Sequence, residues 1–258
     1  MRPETDEQQQ DDAVDQIAVI GEGAQQLRQS DQRRGADNRA RDLHTALQQA
    51  GISGPYVLAG HSYGGLVMRA FADLYLDEVV GMVLVDAAHP DQWVHIPTSN
   101  GGQTVATANQ IASYLTWVGV VRLLDLTAAV TDGLPARPTA EMKAILAQPR
   151  SWMASSAVLG VWDARTRPQI NNARILGALP LAVLSVTEQA LYAETLTQLQ
   201  AGLPALSSNS MHLTVQGSTH ENLIARRENA LIVVDAIRRV IASAQTGEPL
   251  EQGNQPAD

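Results

Sequence analysis

Two kinds of hydrophobic pattern alternate along the chain. Short apolar runs at residues 56–59, 79–85, 179–186 and 213–216 read as strands, and the run at 79–85 is apolar almost throughout, as expected for a strand buried on both faces. Between them lie stretches with helical periodicity. In residues 37–50, Leu43, Ala46, Leu47 and Ala50 share a face, with Arg39, Arg41 and Gln48 outside it. After Ser62, the residues Leu66, Val67, Ala70, Phe71 and Leu74 line one side, opposite Arg69, Asp73 and Asp77. Residues 192–201 and 228–244 read as further helices, the last with a stripe of Ala230, Val233, Val234, Ile237, Val240 and Ile241. Strands alternating with helices imply an α/β fold, a mostly parallel sheet flanked by helices.

The rhythm breaks between residues 91 and 177. There Gly, Pro, Thr and Trp punctuate helical pieces, and no buried strand is evident. The expectation is a helical cap inserted into a core formed by residues 37–90 and 178–244. Trp93, Trp117, Trp152 and Trp162 all fall inside it, suited either to an apolar substrate pocket or to the cap's own small core. Residues 1–36 form a polar N-terminal segment, partly disordered, and residues 245–258 a flexible tail. Residues 17–20, followed by Gly21-Glu22-Gly23, look like a strand and turn. Position 26 is Gln26, not the third Gly or Ala of a dinucleotide fingerprint, so a turn or helix start is expected there.

Composition narrows the function classes. A net charge of -9 argues against a nucleic-acid partner. The absence of cysteine excludes disulfides and thiolate chemistry, and the 6 histidines show no metal-ligand spacing, so neither cofactor nor metal is expected. Residues 1–10 are acidic and glutamine-rich where a signal peptide would be apolar, and the run at 111–130 is broken by Arg122 and Asp125. The expectation is a cytoplasmic protein without a membrane span, acting on a small molecule.

The chemistry is marked at residues 60–64. Gly60-His61-Ser62-Tyr63-Gly64 reads G-x-S-x-G between a strand and a helix. A serine on so sharp a turn needs very small neighbours two residues away on either side, and Gly60 and Gly64 stand there. In a parallel sheet the loops after successive strands gather on one edge. Ser62, Asp86 and His220 each follow a different strand, so the three can converge. A serine hydroxyl needs an imidazole to take its proton, and the imidazole needs a carboxylate to orient it. His44, His61, His89, His95 and His212 carry no comparable claim, and His61 is expected to pack inside the turn.

With these residues in view, the chain resembles the α/β-hydrolase superfamily. The likeness rests on Gly-His-Ser-Tyr-Gly-Gly at 60–65, Gly-Met-Val-Leu-Val-Asp at 81–86, Leu-Pro-Leu-Ala-Val-Leu at 179–184 and Gly-Ser-Thr-His at 217–220. It spans roughly residues 37–244. The resemblance implies Ser62 as nucleophile, His220 as general base and the amide of Tyr63 as one oxyanion donor. It implies an acyl-enzyme on Ser62 formed from an ester or similar acyl substrate. Thioester or C–C cleavage, acyl transfer and lyase chemistry share the scaffold, whereas a dehalogenase would need a carboxylate where Ser62 stands. For the acid, Asp86 matches relatives that place it after the strand before the last two. Most of the family places it later, where this chain has Glu188 and, at the aligned position, Gln189. Both Asp86 and Glu188 are candidates.

The chain departs from the family before the elbow. A full core has about four strands there, and only residues 17–20 could form one. The glycine-rich loop that supplies a second oxyanion donor has no match before residue 56. The expectations are an N-terminally incomplete scaffold, an exposed sheet edge through which copies could self-associate, and poor solubility or oligomers. A non-catalytic or degenerate remnant with a binding role is the competing reading.

Overall fold

The computed structural model describes residues 35–96, 101–188 and 193–251. The strand-like run at 17–20, its G-x-G turn and most of the polar N-terminal segment lie outside the described residues.

The described core is a four-stranded sheet in the order β1-β2-β3-β4, comprising β1 (Tyr56–His61), β2 (Val79–Val85), β3 (Leu181–Glu188) and β4 (Ser210–Thr219). All three pairings are parallel. Strand order follows chain order, and the connections run through helices, as the alternating pattern predicted. Registers such as His61 opposite Val85 and Val85 opposite Leu184 bring the carboxyl ends of the first three strands to a common edge.

Period-two alternation divides the buried side chains between two faces. Met82, Leu84, Leu181 and Val183 belong to a cluster with Leu66, Ala70 and Phe71 of α2 (Tyr63–Leu74), and α1 (Ala36–Gln49) lies against α2. Val83, Val85, Ala182, Leu184 and Val186 form the opposite cluster, covered by Ala236 and Val240 of α7 (Arg227–Thr246). Phe71, the chain's single phenylalanine, meets Tyr56 edge-on at 5.8 Å between ring centroids. Behind it, His44 stacks on Tyr75 at 3.9 Å and shares its Nε2 with both oxygens of Glu78, a structural cluster.

Two helix faces differ from expectation. In α7 the buried positions are Ala236, Val240 and Ser243, with Ile232, Val233 and Ile237 packed beside them, while Val234 and Ile241 are exposed. In α1 the buried positions are Ala36 and Ala40, with Leu43 and Leu47 half-buried, while Ala46 and Ala50 are exposed. Small residues are among the most deeply buried in both, so the face is centred on alanine and serine and bulkier residues flank it. Arg39, expected outside, keeps its Nε buried. The C-terminal end also departs from a tail flexible from residue 245. The helix runs to Thr246, Leu250 is buried, and the Leu250 amide donates to Asn209 Oδ1 at 2.7 Å.

Between β2 and β3, every regular element among the described residues is helical, including α3 (Gly101–Trp117), α4 (Ala136–Leu146) and α5 (Pro149–Gly160). α3 packs along α5. The four tryptophans part company here. Trp162 is buried, donates from Nε1 to Pro90 O at 2.8 Å, and meets Trp93 edge-on at 6.1 Å. Trp152 is half-buried and donates to Leu146 O at 2.7 Å, whereas Trp117 is 78% exposed. Among the described residues no helix is long and apolar enough to cross a membrane.

Candidate active site

β1 ends in the turn that carries Ser62, held at φ 56° and ψ -128°. That backbone is strained for any residue with a Cβ. It persists because the surroundings fix it. The Ser62 amide donates to Val85 O at 3.2 Å, and the Ser62 carbonyl accepts from Gly65 N and from Ala88 N, both at 3.0 Å. A Cβ on Gly60 would lie 2.6 Å from the Gly64 backbone, so Gly60 must be glycine. Gly64 departs from expectation, because nothing lies within 4 Å of a Cβ built there. The second crowded position is Gly65, where a Cβ would sit 2.5 Å from Ala87 Cβ. The close approach runs from Gly60 to the Gly64 main chain and from Gly65 to the turn after β2.

That turn carries Asp86, at φ 40° and 3% exposed. Its amide donates to Leu184 O at 2.7 Å. His220 follows β4, and its Nδ1 lies 2.5 Å from Asp86 Oδ2. A carboxylate only accepts, so the proton is on Nδ1 and Nε2 carries the lone pair. Burial works against protonation of His220. The hydrogen bond and charge of Asp86, helped by Glu221, outweigh it and raise its pKa above 6.5. Between the acid candidates, the geometry joins Asp86 to His220, while Gln189 lies outside the described residues. Glu188 ends β3, its backbone paired with Thr219.

A knot of polar side chains fixes the His220 loop. The Asn222 carboxamide oxygen accepts from Ser218 Oγ at 2.7 Å, from the Thr219 amide at 2.9 Å and from Asn229 Nδ2 at 3.0 Å. Asn229 also donates to Ser218 Oγ at 3.1 Å, which ties the loop to α7. His61 adds a contact that sequence reasoning reduced to packing. Its Nε2 donates to the His220 carbonyl at 2.9 Å, and the two rings lie 4.4 Å apart. Burial, then the neighbouring His220, lower the His61 pKa, so His61 is the neutral partner. Gln200, in α6 (Ala193–Ala201), donates to Asp86 Oδ1 at 2.8 Å. None of these supporting groups has a sequence signal, because polar contacts across a loop or between distant elements follow no period.

Tyr63 opens α2, where first-turn amides have no intrahelical acceptor and the helix dipole is positive. Its phenol turns away to Thr166 Oγ1, 3.2 Å distant, and its ring packs against Trp162. Burial raises its pKa against the opposing pull of Thr166 and Arg39. Among the described residues no hydrogen bond joins Ser62 to His220, and no glycine-rich loop precedes β1. The other histidines stand apart. His89 accepts from the Asp91 amide, His212 meets Ser185 at 2.8 Å within the sheet, and His95 closes a short helix. The described residues hold no group of three metal-ligating side chains.

Comparison with known proteins bears on the family and the fold. An uncharacterized protein of Schizosaccharomyces pombe is 53% identical over 45 residues, 17% of this chain and 8% of that protein. The curated relatives are matched over 25% of their length or less. Among solved structures, a lipase candidate from Acinetobacter baumannii superposes with a TM-score of 0.61 at 17% identity, covering 83% of this chain and 69% of that one. A mutant of an epoxide-hydrolase candidate from Pseudomonas aeruginosa gives 0.62 at 14% identity, covering 83% and 74%. These likenesses concern the fold. The model of the alpha/beta hydrolase family matches residues 15–236, and the chain belongs to that family.

Proposed function

We propose that this protein is a serine hydrolase acting on an ester or similar acyl substrate of modest size. The observation that carries the reading is the Asp86–His220 pair, 2.5 Å apart, on the sheet edge where Ser62 occupies its strained turn. With Nδ1 protonated, His220 Nε2 accepts the Ser62 hydroxyl proton as Oγ attacks the substrate carbonyl. The Tyr63 amide donates to the oxyanion. The imidazolium, stabilised by Asp86, returns its proton to the leaving group. A water activated by the same nitrogen then cleaves the acyl-enzyme on Ser62. Residues 91–177 serve as a cap over this edge, with Trp162 packed against Tyr63 and Trp93 against Trp162 at its base.

The test is labelling by a fluorophosphonate probe together with hydrolysis of a p-nitrophenyl ester. Wild type labels, Ser62→Ala does not, and Asp86→Asn loses about 10⁴-fold in kcat. Folded wild-type protein that fails to label overturns the proposal. It would then favour a non-catalytic binding role, the reading supported by the missing Ser62–His220 hydrogen bond and the unmatched second oxyanion donor among the described residues.

A further inference from the structure

The Asp86 carboxylate divides its two oxygens between two partners. Oδ2 faces His220 Nδ1, and Oδ1 accepts from Gln200 Nε2 at 2.8 Å. The same amide nitrogen donates to Ala87 O at 3.2 Å. Gln200 is 5% exposed, comes from the helix after β3, and stands 114 residues from Asp86 in sequence. Its orientation is fixed, because turning the amide over would set Oε1 against two acceptors. As it stands, Oε1 is buried without a hydrogen-bond partner. Leaving a buried acceptor unpaired is costly, so the side chain is directed by Asp86 at the expense of its own carbonyl.

We propose that Gln200 is a positioning residue for the acid–base pair, holding the Asp86 carboxylate so that Oδ2 stays on His220 Nδ1. The proposal rests on the reading of Asp86 and His220 given above. A carboxylate torsion is broad and soft, so contact with His220 through one oxygen alone leaves it free to rotate. An amide donor on the other oxygen supplies the second point of attachment. The donor is also neutral. An arginine or lysine in its place would offset the Asp86 charge and weaken the base, and a carboxylate would compete for a proton. Glutamine constrains the geometry and leaves the full charge acting on His220.

The test compares Gln200→Met, of similar length but without a donor, with wild type and Asp86→Asn. It records the His220 imidazole titration by NMR and the pH dependence of kcat and KM. If Gln200 positions Asp86, the variant's His220 pKa falls towards its value in Asp86→Asn, and kcat drops roughly 10–100-fold, the scale of one hydrogen bond to a charged group, with KM unchanged. The direction is diagnostic. If Asp86 stays in place without its donor, the carboxylate becomes more basic and the His220 pKa rises. A rise, or no change, in a folded variant overturns the proposal. Gln200→Leu is the second variant, and failure of both to fold would assign Gln200 to the core alone and also overturn it. The NMR titration does not depend on Ser62. A wild type that never labels while its His220 titration responds to Gln200 would sink the hydrolase reading and leave the positioning role standing.

Discussion

Ser62 and its neighbours show how far a single residue can be pressed. Alanine at position 60 meets backbone that cannot move aside, so Gly60→Ala should destabilise the protein by several kcal/mol or leave it unfolded. Gly64→Ala, facing open space, should fold with a melting temperature near wild type. Gly65→Ala is expected to be rescued by Ala87→Gly, and a double-mutant cycle of melting midpoints would report the coupling directly. Protonation at His220 makes a second residue-scale prediction. Its pKa is raised above 6.5, and a base must be neutral, so kcat/KM should climb through an apparent pKa above 6.5. Stability runs the other way. A raised folded-state pKa contributes stability that is complete below 6.5 and is lost as pH rises through the folded value. Activity should therefore rise over the window in which this contribution to stability fades. An acid limb at or below 6.5 would show that burial of His220 outweighs the pull of Asp86.

Among the elements, the strands were legible and the helix faces only partly so. Residues 79–85 announce a buried strand because both faces of β2 are covered, and every position there is apolar or glycine. Helix phase was harder. In α7 the apolar residues outnumber the positions that can face the sheet, and the buried face is led by Ala236 and Ser243, which carry little hydrophobic signal. The Ser218–Asn222–Asn229 knot was not readable, since polar residues joined across a loop have no period. It makes a prediction at this scale. Asn222→Ala strips an acceptor from three donors, two of them on the chain just before His220. Buried donors left unpaired cost about 1–3 kcal/mol each, so the melting temperature should fall. kcat should drop more than KM changes, as His220 loses its seat. Unaltered kinetics in a folded Asn222→Ala protein would show that the loop holds His220 without the knot.

On the scale of the whole molecule, the family could be read from the sequence because its signature is local: a strand, a strained turn and a helix within about twenty residues. That Asp86 and His220 could meet was readable because parallel topology sends strand ends to one edge. What holds those ends in place was not readable. The Ser62 amide, through Val85 O, and the Ser62 carbonyl, through Ala88 N, join the elbow to β2 and the turn after it, and Asp86 N ties that turn to β3. Ser62 and Asp86 thus ride on one welded body. His220 follows β4, whose Thr219 pairs with Glu188 of β3, and its loop is braced by the knot to α7; its side-chain contacts with the elbow body run through Asp86 and His61. The proposed triad therefore has its side-chain seam at His220. Mild heat or denaturant should loosen it there first, so esterase activity should fade while amides such as Ala88 N still resist hydrogen exchange. In mechanical terms the site is a two-part tool, both parts mounted on the sheet, and its working tolerance is set by the play at the histidine.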